Sequence, residues 1–502
     1  MAQTIHLNPE KLTFLRTVDP CLMSYNVEMA EVTGGTFWKS YTPGQVAGTE
    51  EFALPEGKSF YEIRAKLMEK FPPVDLYNKR LRNLASKFGP VWIRVSGTWA
   101  TGTYYDFDGQ MGGKAPKGYL NALTKEQWIG VLDFVNAMGG RLMISVANCE
   151  GLHVSVDPWN PSEAENIFSL SKEYGVPVAA AEFMNEPNVR DHGTAPNYLP
   201  EHFARDQDLF IRWVRENYPE CMIIGPCATG SNSMGNTGDG GVTAVTKSYT
   251  TDQLMENAKE PMDIFSYHYY NGISERLAPM APSSHWPRSR AMDEDYLGVV
   301  ANSARAYSHD RDKYVPGSPM WVTESGDAGG GGNTWASSYL DVFRFLNELG
   351  SFSTITDGVI FHNTLCASDY AFLKSETFEP RPNYFAALLW NTLMGTTVYD
   401  SGEPIRMGAH VYAHSRRDGK DGVTYLIINN AKTDITTVEL PVAAERYTMS
   451  ADQVSSHVMK LNGRELILGE NDELPDLSPA QQEAGTIVLE PATITFLVVN
   501  GK

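Results

Sequence analysis

Eight short apolar runs between residues 21 and 364 constrain this chain of 502 residues more than any other feature. They are C-L-M-S-Y-N-V-E-M (21–29), V-W-I-R-V-S-G (91–97), R-L-M-I-S-V-A-N (141–148), V-A-A-A-E-F-M-N-E (178–186), C-M-I-I-G-P-C-A (221–228), D-I-F-S-Y-H-Y-Y (263–270), P-M-W-V-T-E-S-G (319–326) and D-G-V-I-F-H-N-T (357–364). Hydrophobicity this continuous belongs to strands covered on both faces, as in parallel sheets. Amphipathic stretches with helical spacing separate most of them, for example 125–138 and 204–217. Eight such units over about 370 residues predict an α/β fold, a (β/α)8 TIM barrel spanning residues 19–395 with enlarged loops. A doubly wound open sheet would want a glycine-rich dinucleotide turn after its first strand, and N-V-E-M-A-E-V-T-G-G is not one.

From about residue 396 the helical period gives way to short alternating runs: 409–415, 423–429, 435–440, 485–490 and 493–498. Turn signals such as N-N-A-K and N-G-R-E lie between them. Residues 396–502 therefore read as a C-terminal antiparallel β-sandwich, to which about residues 1–18, containing T-I-H-L, add a strand.

The formal net charge of −20 argues against nucleic acid, anionic membranes and densely sulfated polymers as partners. Five cysteines at positions 21, 149, 221, 227 and 366 show no metal-binding spacing, and their odd number leaves at least one unpaired. A buried free thiol is the expectation for those in or beside apolar runs. No H-E-x-x-H or comparable set is present, and the glycine-rich stretch 229–241 lacks the Gly-Lys-Ser/Thr ending of a phosphate loop. Neither a metal nor another cofactor is expected, and 229–241 reads as a surface loop after strand five. No apolar run approaches the roughly 20 residues of a membrane span, and M-A-Q-T-I-H-L-N has no signal-peptide character. The expectation is a soluble protein, either cytoplasmic or secreted or periplasmic after loss of a leader, with the oligomeric state open.

A (β/α)8 enzyme keeps its active site at the C-terminal ends of the strands. Polar residues there are Glu28, Arg94, Asn148, Glu150, Asn185, Glu186, His268, Tyr270, Glu324 and Asn363. Glu186 ends the fourth run and Glu324 lies in the seventh. Two carboxyl groups facing one another across a barrel mouth are the minimum for glycoside hydrolysis: one protonates the leaving oxygen, and the other stays ionised to attack or direct water. Glu182 also lies in the fourth run. If side chains alternate along one strand, it points inward like Glu186 but about 13 Å deeper. There it needs a cation, and Arg94 is the candidate. Asn148, Cys149 and Glu150 read as rim or structural residues, and His268 as a satisfied supporting histidine rather than an acid or base.

The N-E-P after strand four and the second glutamate after strand seven resemble the retaining glycosidases of clan A. The blocks S-Y-N-V-E-M, W-I-R-V-S-G-T, S-Y-H-Y-Y-N-G and W-V-T-E-S-G-D-A-G-G-G-G, with F-E-P-R-P-N-Y-F-A-A-L-L-W-N-T-L-M-G-T-T-V, are similar to glycoside hydrolase family 79, the heparanase and β-glucuronidase family. The likeness runs over nearly the whole chain. It implies Glu186 as acid/base and Glu324 as nucleophile, Asn185 on the sugar 2-hydroxyl, Tyr270 hydrogen-bonded to the nucleophile, and Arg94 beside it. Glu28 would bind sugar hydroxyls. The backbone N–H groups of the run 329–332, chiefly Gly330 and Gly331, would receive the glucuronate carboxylate together with Tyr370, because successive backbone donors make an anion nest. A plain flexible loop is the alternative for that run.

The expected reaction is release of β-linked glucuronic acid by an exo-acting enzyme from a glucuronate-containing carbohydrate. Endo-cleavage of heparanase or hyaluronidase type, action on a neutral sugar, and an inactive carbohydrate-binding protein are the alternatives. This chain departs from the family where Asp327 and Ala328 precede the glycines instead of a tyrosine. An acid beside a carboxylate pocket is tolerable only if Asp327 turns outward. The long segment A-P-M-A-P-S-S-H-W-P-R-S-R is expected to wall the cleft, and Arg288 and Arg290 are where a basic stripe for an endo-acting enzyme would lie.

Overall fold

The computed structural model describes residues 3–54, 57–235 and 237–501. Its strands Met23–Glu28, Trp92–Ser96, Arg141–Ser145, Val178–Glu182, Met222–Thr229, Ile264–Tyr270, Met320–Gly326 and Ile360–His362 close into a barrel in chain order, each pairing parallel to its neighbours. All eight apolar runs thus become barrel strands. The helix Lys125–Ala137 shows why the intervening segments are helical. Thr124 caps its first turn by accepting from the Gln127 N–H, and Trp128, Val131, Leu132 and Val135 form one buried stripe.

Inward-facing positions change character along the barrel axis. Near the N-terminal end Trp92, Met143, Ala180, Ile224, Trp321 and Phe361 form an apolar plug, with the Trp92 and Trp321 rings 4.9 Å apart. Two residues further along the same strand faces come Arg94 above Trp92 and Glu182 above Ala180. The strand period therefore puts charge on top of a dry floor.

After the helix Pro382–Leu393 the chain enters a nine-stranded sheet directly, at Met394–Asp400. Thr13–Thr17 joins this sheet beside Met394–Asp400, and Gln3–His6 joins a three-stranded sheet with Thr436–Leu440 and Gly485–Leu489. Strand alternation explains how the large sheet serves two partners. From Gly422–Asn429, the side chains of Val423, Tyr425 and Ile427 pack with Ile5, Val438 and Ile487 of the small sheet. Leu426 and Ile428 belong to the same core as the barrel helices. All five cysteines are free and buried. Among the described residues no helix is long and apolar enough to cross a membrane.

The sheet docks on helix Tyr339–Ile355, where Asn347 Oδ1 accepts from the Tyr412 hydroxyl at 2.7 Å. A Cβ on Gly350 would lie 2.3 Å from the Tyr412 ring, whereas one on Gly298 in helix Glu294–Tyr314 would meet nothing within 4 Å. Gly350→Ala should destabilise by about 1–3 kcal/mol, and Gly298→Ala should be neutral or stabilising by up to about 1 kcal/mol; thermal unfolding of both variants checks the contrast.

Candidate active site

Arg94 organises the C-terminal end of the barrel. It is buried, and its Nε and Nη2 donate to Glu182 Oε2 at 3.0 and 2.9 Å. Its Nη1 donates to Glu324 Oε1 at 3.0 Å and its Nη2 to Asn185 Oδ1 at 2.7 Å. Burial disfavours the guanidinium charge, but the two carboxylates outweigh it and raise the Arg94 pKa.

The fourth strand ends at Glu182, not at Glu186 as the sequence suggested. Residues 183–185 bend away from the ladder, and Glu186 takes a left-handed backbone conformation with φ 45°. Asn188 anchors the turn to strand five: its Nδ2 donates to the Thr229 carbonyl at 2.8 Å, and its Oδ1 accepts from the Thr229 N–H at 3.0 Å. Strand alternation therefore does not aim Glu186; this pinned turn does. Glu182 remains below it as the buried partner of Arg94. Burial pushes Glu186 up, but hydrogen bonds with His192 and His268 reverse this and hold it well below the usual carboxylate range.

Glu324 faces Glu186. One oxygen of each lies, with a His268 ring nitrogen, within 4.8 Å of the others. The Tyr270 hydroxyl donates to Glu324 Oε2 at 2.8 Å, and Asn363 Nδ2 donates to the Tyr270 and Tyr370 hydroxyls at 3.0 and 3.2 Å. Glu28 lies beside them, its carboxyl pushed well up by burial and by the charges of Glu324 and Glu31. A Cβ on Gly97, at φ 94°, would come within 1.6 Å of Glu28 Oε2, so only glycine leaves room for this carboxyl group. Asn185 Nδ2, Glu28 Oε2 and Asn363 Oδ1 are buried with no hydrogen-bond partner among the described residues. Two of these atoms, on Glu28 and Asn363, belong to residues lining one cavity, which suits a polyhydroxylated ligand.

The glycine run is held by its carbonyls. Those of Gly329 and Gly330 accept from the Ser274 N–H and hydroxyl at 2.9 and 3.0 Å, and that of Gly331 accepts from Ser368 at 2.9 Å. Across a trans peptide the next N–H points the opposite way. The Gly330 and Gly331 N–H groups are accordingly unused within the described residues, and Gly330 lines the cavity. Gly331 lies behind it against Trp38 rather than on the cavity surface. Asp327 does not turn outward. It is fully buried, accepts from the Asn333 N–H at 2.8 Å, and closes the loop on itself. Burial first, and the nearby Asp341 charge second, push it well above the usual carboxylate range, which favours a neutral acid that does not repel an anion.

The opposite wall was not anticipated from sequence. An insertion after strand one pairs Gly35–Trp38 with Met68–Phe71 and carries Phe37, Trp38, Phe60, Arg64 and Met68 to the cavity. The Trp99 and Phe37 rings lie 5.0 Å apart, tilted by 52°, and the Arg64 guanidinium lies 5.3 Å from the Trp99 ring centroid. Clustered rings in F-W (37–38) and S-F-Y (59–61) are the signal that was available. Thr98 and His192 are further cavity residues that sequence reading missed. The loop 229–241 is more than surface: Gly241 packs beneath Gly329, and Val242 lines the cavity. The 278–290 segment does not wall it. Arg290 pairs with Asp293 and Asp295, and Arg288 donates to the Val46 carbonyl and Thr334.

The chain is 28% identical over 475 residues to the baicalin-β-D-glucuronidase of Scutellaria baicalensis, covering 86% of this chain and 84% of that protein. It is 25% identical over 475 residues to the hyaluronoglucuronidase of Hirudo nipponia, covering 85% and 90%, and 25% identical over 434 residues to human inactive heparanase-2, covering 77% and 68%. The solved structure of a 4-O-α-L-rhamnosyl-β-D-glucuronidase from Fusarium oxysporum superposes with a TM-score of 0.65 at 12% identity, over 99% of this chain and 100% of that one. No family model matches the chain. The fold is shared with solved glycoside hydrolases, the Fusarium oxysporum enzyme and a GH51 arabinofuranosidase from Xanthomonas axonopodis among them. In sequence the chain is similar to proteins named as hyaluronoglucuronidase, heparanase-like and β-glucuronidase.

Removing Arg94 leaves the buried Glu182 without its cation and with only the Ser266 hydroxyl as partner. Arg94→Met should cost about 3–5 kcal/mol, read as a lowered urea midpoint at neutral pH.

Proposed function

We propose that this protein is a retaining exo-β-glucuronidase with Glu186 as acid/base and Glu324 as nucleophile. The observation that carries the reading is the placement of a Glu186 oxygen and a Glu324 oxygen within 4.8 Å across one cavity. Retaining glycosidases hold their carboxyl groups about 5–5.5 Å apart, while inverting enzymes need about 6.5–9.5 Å to admit a water. Glu324 attacks the anomeric carbon as Glu186 protonates the glycosidic oxygen. Glu186 then deprotonates the water that releases the sugar. Arg94 and Tyr270 each donate to one Glu324 oxygen, which aims the nucleophile.

The sugar carboxylate is assigned to the Gly330 N–H group and the Tyr370 hydroxyl, with Asn185 Nδ2 on the 2-hydroxyl and Glu28 on a further hydroxyl; Gly331 supports the turn from behind. The relatives named for glucuronidase activity agree with this substrate. An inactive heparanase is also among the relatives, but this chain retains both carboxyl groups. Exo action fits the wall: Arg288 and Arg290, the basic candidates for gripping a long anionic chain, do not line the cavity, and the 35–71 insertion does.

The test is hydrolysis of 4-nitrophenyl β-D-glucuronide beside the matching glucoside and xyloside. The glucuronide should be cleaved selectively, and Glu324→Gln should lose roughly a thousandfold or more in kcat. A Cβ on Gly330 would lie 2.7 Å from Leu277 at φ 93° and distort the nest. Gly330→Ala should therefore cut the preference for glucuronide over glucoside by about 10-fold or more, the worth of a hydrogen bond to a charged group. Equal cleavage of all three sugars by the unaltered enzyme would refute the carboxylate assignment.

A further inference from the structure

Glu186 touches two histidines, and the donors and acceptors around them give the rings different roles. His268 Nδ1 lies 3.0 Å from Glu186 Oε1, and its Nε2 lies 3.4 Å from Arg94 Nη2. Arginine only donates, so Nε2 presents its lone pair and the one ring proton sits on Nδ1, donated to Glu186. A second proton on His268 would face the guanidinium. His192 is placed differently. Its Nε2 lies 2.7 Å from the Thr98 hydroxyl and 3.4 Å from Glu186 Oε2. The Thr98 hydroxyl can donate to a bare Nε2, and when Nε2 carries a proton that single N–H lies between the Thr98 oxygen and Glu186 Oε2. The ring is only 4% exposed, and its Nδ1 has no partner among the described residues.

We propose that His192 is the proton-holding partner of the acid/base: Glu186 and His192 share one proton across the Oε2–Nε2 contact, and the glycosidic oxygen receives it through Glu186. This rests on the reading of Glu186 given above. In the first step the proton passes from His192 to Glu186 and on to the glycosidic oxygen, as the C1–O bond breaks and Glu324 forms an ester at C1. His192 is then neutral and Glu186 ionised. In the second step water bonds to C1, Glu324 leaves, Glu186 takes the water proton, and His192 is recharged. His192 acts through Glu186 and is a positioning residue.

The arrangement answers a problem in the site. Hydrogen bonds with His192 and His268 hold Glu186 below the usual carboxylate range, which suits the base half of its work, while the acid half calls for a neighbour within reach that can hand on a proton. The charged and titratable groups around the pair are Glu324 and His268 across the cavity, Arg190 and Asp191 preceding His192, and Tyr61 and Arg64 on the insertion. Tyr61 donates its hydroxyl proton to the Arg190 carbonyl and feels the charges of Asp191 and Glu186.

The test uses His192→Gln and His192→Ala with β-glucuronides of 2,4-dinitrophenol, phenol and methanol, whose leaving groups need increasing help from a proton. Glutamine keeps a hydrogen bond to Glu186 but carries no transferable proton. In kcat/KM, both variants should lose at least about tenfold more on the phenyl and methyl glucuronides than on the dinitrophenyl substrate, a fraction of what general acid catalysis supplies. The alkaline limb of the kcat/KM profile should move in both variants. Full recovery by glutamine on every substrate, or an equal loss on all three with the alkaline limb unmoved, overturns the proposal. If the unaltered enzyme cleaves none of the three, the glucuronidase reading itself fails, an outcome distinct from selective loss in the variants.

Discussion

One buried guanidinium sets the terms for everything at the mouth of this barrel. Arg94 meets Glu182 through two nitrogens and Glu324 through a third, with all three side chains nearly out of reach of solvent. A buried charge without a partner costs several kcal/mol, so the cation and its acids must be present together. The division is unequal. Glu182 receives two donors from Arg94 and lies at the level of the strand ladder, while Glu324 receives one and keeps its other oxygen for Tyr270. This leaves Glu324 oriented by a donor on each oxygen yet facing the cavity. Asn185 is fixed by the same arginine, so the residue assigned to the sugar and the residue assigned to attack share one anchor.

The rest of the architecture keeps that anchor in place. The Trp92 and Trp321 plug makes the floor beneath Arg94 apolar, and the closed parallel ladder fixes the heights of the strand ends. The antiparallel sheets stand against the barrel helices, one face of the large sheet sharing their core and the other packed on the small sheet. The glycine loop is held by four hydrogen bonds to its carbonyls and by Asp327, so its free N–H groups belong to a fixed surface.

Much of this was legible in the sequence because it follows strand periodicity. The eight apolar runs became eight barrel strands, and Arg94 meets Glu182 because both face inward two residues above plug positions. What periodicity could not give was the end of strand four. Residues 183–185 leave the ladder and Glu186 adopts a left-handed conformation, so the same-face argument for Glu182 and Glu186 placed Glu186 near the mouth for the wrong reason. His192 was invisible because it reaches Glu186 by folding back through a turn. The aromatic wall was missed because its residues come from a small insertion whose two short strands, Gly35–Trp38 and Met68–Phe71, pair only with each other. Asp327 was misjudged because an acid was assumed to be charged, whereas complete burial favours its neutral form.

The most direct measurement is to trap the intermediate. Incubation with a 2-deoxy-2-fluoro-β-D-glucuronyl fluoride, followed by proteolysis and mass spectrometry, should give a single covalent sugar adduct on the peptide containing Glu324, with time-dependent loss of activity. An adduct on Glu186, or continued turnover of aryl glucuronides with no adduct formed, would contradict the assignment of nucleophile and acid/base.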